Sequence, residues 1–88
     1  IPFQRELAVL FVRSSDGSFL RSPLVETHQQ DRRCDIVIGP KKHRKLEFIT
    51  KKFRKLMSHL DYVGVLAVEM FDTKGDLLVN ELAPRVHN

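Results

Sequence analysis

One stretch of this chain has the period of a helix, and strand-like runs lie on either side of it. Leu46, Ile49, Phe53, Leu56, Met57 and Leu60 recur at three- and four-residue steps, as one face of an α-helix does. Before it, residues 7–12 are a short apolar run rich in branched and aromatic side chains, read as a strand buried on both faces. Ser14-Ser15-Asp16-Gly17 carries the Asp-Gly turn signal. Residues 18–21 and 24–28 read as a return strand interrupted at Pro23, and residues 33–38 as a further strand stopped by Gly39-Pro40. After the helical stretch, residues 63–71 and 77–82 read as two strands around Asp72-Thr73-Lys74-Gly75-Asp76. The order strands, helix, strands implies an α+β fold, a mainly antiparallel sheet covered by one long helix.

Size and composition narrow the function. A chain of 88 residues is one domain at most, burying roughly 60–65% of its unfolded surface. Its apolar runs fall far short of the ~20 residues that span a bilayer, and no signal-peptide pattern is present. These features point away from a membrane protein. The single cysteine, Cys34, excludes an internal disulfide, reads as a small core thiol and fits a cytoplasmic setting. The chain starts at Ile1 and stops at Asn88 without a terminating signal, so it reads as a single partial domain, 1–88, of something longer.

The net charge of +4 conceals an asymmetry. Residues 41–55 hold eight Lys or Arg and one acid, Glu47; the rest holds seven basic and ten acidic residues. The chain is a mildly acidic domain with one basic helix face. Such a face is ordinarily solvated; the alternative is a module that contacts RNA or an anionic membrane.

Chemistry concentrates at the end of the chain. Glu69 interrupts an apolar face formed by Val65, Ala67 and Phe71; Glu81 does the same beside Leu77 and Val79. A three-residue loop, residues 74–76, would pair 69 with 81 and bring the two carboxylates within about 4.5–5.5 Å at Cβ, where like charges repel. A two-residue loop would pair 69 with 80 and place the glutamates on opposite faces. If they meet, either one carboxyl is protonated or a cation lies between them. Magnesium takes one or two carboxylates and completes its shell with water and phosphate oxygens. If the strand stays extended through Pro84, Glu81, Arg85 and His87 share a face, and a cationic pair there suits those oxygens. The plainer alternatives are rim glutamates paired with Lys or Arg, a solvated strand exit for Arg85 and His87, and a cross-strand hydrogen bond for Asn80.

Residues 62–71 together with Leu77-Leu78-Val79-Asn80-Glu81-Leu82-Ala83-Pro84-Arg85-Val86-His87-Asn88 closely resemble the N5-carboxyaminoimidazole ribonucleotide synthetases, ATP-grasp enzymes of purine biosynthesis. Glu6-Leu7-Ala8-Val9, Asp16-Gly17 and Pro23-Leu24-Val25-Glu26 fit the same family, and the likeness is weakest across residues 29–60. The Ala-Pro-Arg-x-His-Asn ending is the specific part. The resemblance implies the C-terminal half of an ATP-grasp domain. It implies that Glu69 and Glu81 bind magnesium, or manganese, and with Asn80 hold ATP. Arg85, His87 and Asn88 match residues that line the bicarbonate and aminoimidazole ribonucleotide site, with Arg85 and His87 in catalytic roles. The implied reaction phosphorylates bicarbonate to carboxyphosphate and then carboxylates the substrate amine.

The resemblance also sets expectations about what lies elsewhere. The family's glycine-rich loop, phosphate-binding lysines and adenine-holding segment are expected before Ile1. Gly17, Gly39, Gly64 and Gly75 are scattered and form no phosphate cradle. The remainder of the parent chain is therefore an implied partner, the family's usual homodimer an implied assembly, and residues 1–88 alone are expected to be inactive. Ser22, Thr27 and Gln29 depart from the family's commoner aromatic, Asn and His, and the basic helix departs from its usual Ala-rich one. A related ATP-grasp ribonucleotide ligase or transformylase is the alternative within the same fold. Nucleic acid is the less favoured partner.

Overall fold

In chain order the elements are β1 (Arg5–Arg13), β2 (Phe19–Arg21), β3 (Leu24–Gln30), β4 (Arg33–Lys41), α1 (Leu46–His59), β5 (Gly64–Thr73) and β6 (Asp76–Val86). The computed structural model describes residues 5–30 and 33–86. The strands form a six-stranded sheet of order β4-β3-β1-β5-β6, with β2 also on β1 and every pairing antiparallel. The α+β architecture expected from the order of periods is the one observed.

Helix α1 covers one face of the sheet. Leu7, Val9 and Phe11 of β1, Leu24 of β3, and Leu66, Val68 and Met70 of β5 are buried beneath Leu46, Phe53 and Met57 of the helix. The Phe11 ring lies 5.7 Å from that of Phe19 and 5.2 Å from that of Phe53, stacked on both. Period-two alternation is what half-buried strands require, and β5 shows it: alternate residues are buried and the rest half-buried. The expectation that β1 is buried on both faces is corrected. Leu10, between two buried residues, is 45% exposed, because among the described residues no second layer covers the far face.

The helical stripe is narrower than its period suggests. Leu56 and Leu60 are largely exposed rather than in the core. Leu56 sits about 100° around the helix from Met57, and Leu60 is the C-cap, where the chain turns away. Asp61 takes a positive φ of 52° there, and the N–H groups of Tyr62 and Asp61 donate to the carbonyls of Met57 and Ser58 at 2.8 and 3.1 Å. This is a Schellman ending with aspartate where glycine is usual.

Two prolines are accommodated without ending the sheet. At Pro23, which has no N–H, Ser22 takes over the ladder: its N–H donates to the Leu10 carbonyl and its Oγ accepts the Leu10 N–H, at 2.9 and 2.8 Å. The expected stop at Gly39-Pro40 is also corrected, since β4 runs on to Lys41. A register shift lets Gly39 and Pro40 together face Val25, and a bulge is where a strand tolerates proline. Gly39 is required for that close approach, because a Cβ there would lie 2.6 Å from Val25 Cγ1. Cys34 lies in β4, its side chain outside the described residues. No helix among the described residues is long and apolar enough to cross a membrane.

Candidate functional site

The face of the sheet away from α1 carries the acidic residues singled out from the sequence. Glu69 of β5 stands directly opposite Glu81 of β6. The route to that pairing differs from the expected one. The β5–β6 turn has two residues, Lys74 and Gly75, both with positive φ (50° and 86°), as a type I′ hairpin requires. Counted back without interruption, this turn would face Glu69 with Asn80. A β-bulge intervenes: Met70 pairs with Val79, Glu69 with Glu81, and Asn80 is the extra residue. The bulge therefore brings the second glutamate onto the face of the first.

Beyond the bulge the register is unbroken through Val86, and β6 stays extended through Pro84. Arg85 thus shares a face with Glu81, about 13 Å further along the strand. It is exposed and helps line a cleft of about 430 Å³ with Arg13, Ser14, Ser15, Gly64 and Val65, among others. Asn80 is exposed at the bulge. His87 and Asn88 lie outside the described residues.

Electrostatics set this face apart. Half-burial on the sheet raises the Glu69 carboxyl above the usual range; the facing Glu81 carboxylate and the charge of Glu6 push it the same way. Glu6 is a site residue that sequence reasoning passed over. It is paired with Phe71 in β1, next to Ala8, the partner of Glu69. Its signal was the alternation of β1, legible once Leu7, Val9 and Phe11 are assigned to the helix side. Among the described residues, none of the ion pairs involves Glu6, Glu69 or Glu81, so the alternative of rim glutamates neutralised by Lys or Arg is not what is seen. Nor, among the described residues, do three His, Cys, Asp or Glu side chains gather as a metal-binding group. Two uncompensated carboxylates fit a cation that draws its remaining ligands from phosphate and water, as magnesium does.

The basic helix face has partners of its own. Lys52 Nζ lies 4.8 Å from the centre of the Phe48 ring, the Arg54 guanidinium 5.5 Å from that of Phe19, and Lys45 pairs with Asp76 at 3.4 Å. It is an outer, solvated face, on the opposite side of the sheet from the glutamates.

Comparison with known proteins bears on this arrangement. The family model for the ATP-grasp domain matches residues 1–88. The chain is 41% identical over 90 residues to the N5-carboxyaminoimidazole ribonucleotide synthase of Synechococcus elongatus, covering 100% of this chain and 23% of that protein. The crystal structure of N5-carboxyaminoimidazole ribonucleotide synthetase from Thermus thermophilus superimposes with a TM-score of 0.85 at 38% identity, over 99% of this chain and 25% of that one. The Aspergillus clavatus N5-carboxyaminoimidazole synthase, solved in complex with ADP and 5-aminoimidazole ribonucleotide, superimposes with a TM-score of 0.68 at 31% identity, over 98% and 24%. The chain thus spans about a quarter of the length of these relatives. With the whole chain matched and the strand–helix–strand architecture in agreement, this chain belongs to the ATP-grasp domain family.

Proposed function

We propose that the chain is the C-terminal half of an ATP-grasp domain in an enzyme that carboxylates 5-aminoimidazole ribonucleotide with bicarbonate, using ATP, to give N5-carboxyaminoimidazole ribonucleotide for purine biosynthesis. The observation that carries this reading is the Glu69–Glu81 pair, placed on one face by the bulge at Asn80 and left without a basic partner among the described residues. Glu69 and Glu81 would hold magnesium, or manganese, as carboxylate ligands, with Asn80 beside them toward the nucleotide. The ion, when bound, neutralises charge on the phosphate oxygens of ATP.

The reaction has two transfers. A bicarbonate oxygen attacks the γ-phosphorus and ADP leaves, forming carboxyphosphate. The substrate amine then attacks the carboxyl carbon; phosphate leaves and the nitrogen loses a proton. Arg85, on the glutamate face and bordering the cleft, would hold the anionic oxygens of bicarbonate and carboxyphosphate. His87 and Asn88 follow in the sequence and would orient the ribonucleotide, His87 being suited to take the amine proton. The relatives' similarity over the whole of this chain supports the assignment. So does the Aspergillus clavatus complex, which holds ADP and the ribonucleotide.

The test uses the full-length protein that carries this chain. ATP hydrolysis is followed with magnesium and bicarbonate, with and without aminoimidazole ribonucleotide. Stimulation by the ribonucleotide that disappears in Glu81→Gln is expected. Stimulation by a different ribonucleotide amine would move the reading to a related ligase or transformylase. Residues 1–88 alone, a quarter of the relatives' length, are expected to turn over no ATP in the same assay.

A further inference from the structure

The segment between β4 and α1 grips the end of the glutamate hairpin at three successive residues. His43 Nε2 lies 3.1 Å from Asp72 Oδ1, near the end of β5. The Arg44 guanidinium lies over the turn, so close that a Cβ on Gly75 would sit 3.3 Å from its Nη2. Lys45 Nζ pairs with Asp76 at the start of β6, 3.4 Å away. Strand β6 needs such an anchor. Among the described residues it is an edge strand, and Val79 and Leu82 on it are each more than 40% exposed, so α1 does little to hold it.

His43 is the buried member of the grip, with its side chain 4% exposed. Its two ring nitrogens face different tasks. Nδ1 accepts the backbone N–H of Lys45 at 3.0 Å, at the start of α1, where Lys45 provides no side-chain cap. An Nδ1 facing a donor carries no proton, so Nε2 holds it and donates to Asp72. Asp72 accepts in addition from Arg5 Nε at 2.9 Å. The ring therefore caps the helix with one nitrogen and ties the hairpin with the other.

We infer that His43, as the neutral Nε2–H tautomer, is a positioning residue for the Glu69–Glu81 pair. By its tie to Asp72 it fixes the hairpin on the core and so sets the spacing at which the two carboxylates meet a divalent cation. This rests on the reading of that pair as the cation site. It predicts that the tie, and not the helix cap, governs cation affinity.

The two tasks can be separated by substitution. Asn places an acceptor where Nδ1 was and keeps the cap; Gln places a donor where Nε2 was and keeps the tie. In the full-length protein, Mn2+ affinity is measured by titration for the parent, His43→Asn, His43→Gln and Glu81→Gln. His43→Asn is expected to weaken Mn2+ binding about fivefold, below the loss typical of a direct outer-shell partner, while His43→Gln stays near the parent. Equal affinity in all three His43 forms, or loss in Gln alone, overturns the inference. Unchanged binding in Glu81→Gln overturns instead the reading of the site. A measurement on the unsubstituted protein stands apart from any folding defect: nitrogen chemical shifts should show His43 protonated at Nε2, and an Nδ1–H ring would overturn the proposal.

Discussion

The two faces of the sheet treat the same chemical group in opposite ways. On the helix side, Asp72 is buried, which alone would raise its carboxyl; hydrogen bonds from Arg5 and His43, with the Arg5 charge, outweigh that and hold it below the usual range. Glu26 on the same side is lowered by its hydrogen bond with His28, 2.6 Å away, aided by Lys41 and Arg5. On the open side, Glu69 is raised by burial and by two further acids. A fold that neutralises its acids on one face and crowds them on the other separates two roles. The paired acids hold the strands in place. The crowded ones leave charge to be satisfied from outside.

The sharpest way to break the contrast is to remove a crowded acid. If Glu81 holds the cation as proposed, Glu81→Gln in the full-length protein should lower bicarbonate-dependent ATP turnover by about a hundredfold or more, because several kcal/mol of charge stabilisation at the phosphates would go with the ion. Removing a paired acid should act on stability instead. Asp72→Ala strips a buried carboxylate from Arg5 and His43, and local stability should drop by about 2–3 kcal/mol, a little under the cost of breaking a fully buried pair because Arg5 is partly exposed. Hydrogen exchange at the β1 and β5 amides reads this loss, and an unchanged exchange rate would put the anchoring role elsewhere.

The smallest effect is the most diagnostic in sign. Glu69 has a folded pKa above its unfolded one, so it costs stability at neutral pH, and the cost vanishes as pH falls through the raised value. Glu69→Gln should therefore stabilise by about 0.2–1 kcal/mol at pH 7, the range for like charges facing across strands, and by nothing in acid. Asp72 has a folded pKa below its unfolded one, so its stabilisation is complete above the ordinary carboxylate range and fades as pH drops. Denaturation of the two variants across the acid range should give slopes of opposite sign relative to the parent; slopes of the same sign would contradict the assignment of one acid as paired and the other as crowded.

Much of this was legible in the chain. The helical period over residues 46–57, the alternation of β5 and the Asp-Gly turn at 16–17 each report a local preference that the tertiary structure respects. The pairing of Glu69 with Glu81 was one of two registers the sequence left open, and there it was tied to a three-residue loop. In the molecule two one-residue differences cancel: the turn is shorter by one and the bulge at Asn80 adds one back. Neither had a clear signal, because Lys74 is an unusual residue for positive φ and a bulge leaves no composition mark. Pro40 misled for a related reason, its missing donor being absorbed opposite Val25. The contacts of His43 were out of reach, since they depend on a loop meeting a strand 29 residues away.

The bulge in β6 also affects how this protein can be handled. Among the described residues β6 has a neighbour on one side only, and an eleven-residue edge is a template on which other chains, including copies of this one, can zip by backbone hydrogen bonding. Asn80 kinks the template near its middle, and Pro84 has no N–H to offer close to its end. The irregularity that brings two glutamates together thus divides the edge into pieces too short for a stable sticky strand. A variant that straightened β6 would be expected to aggregate before it lost its fold.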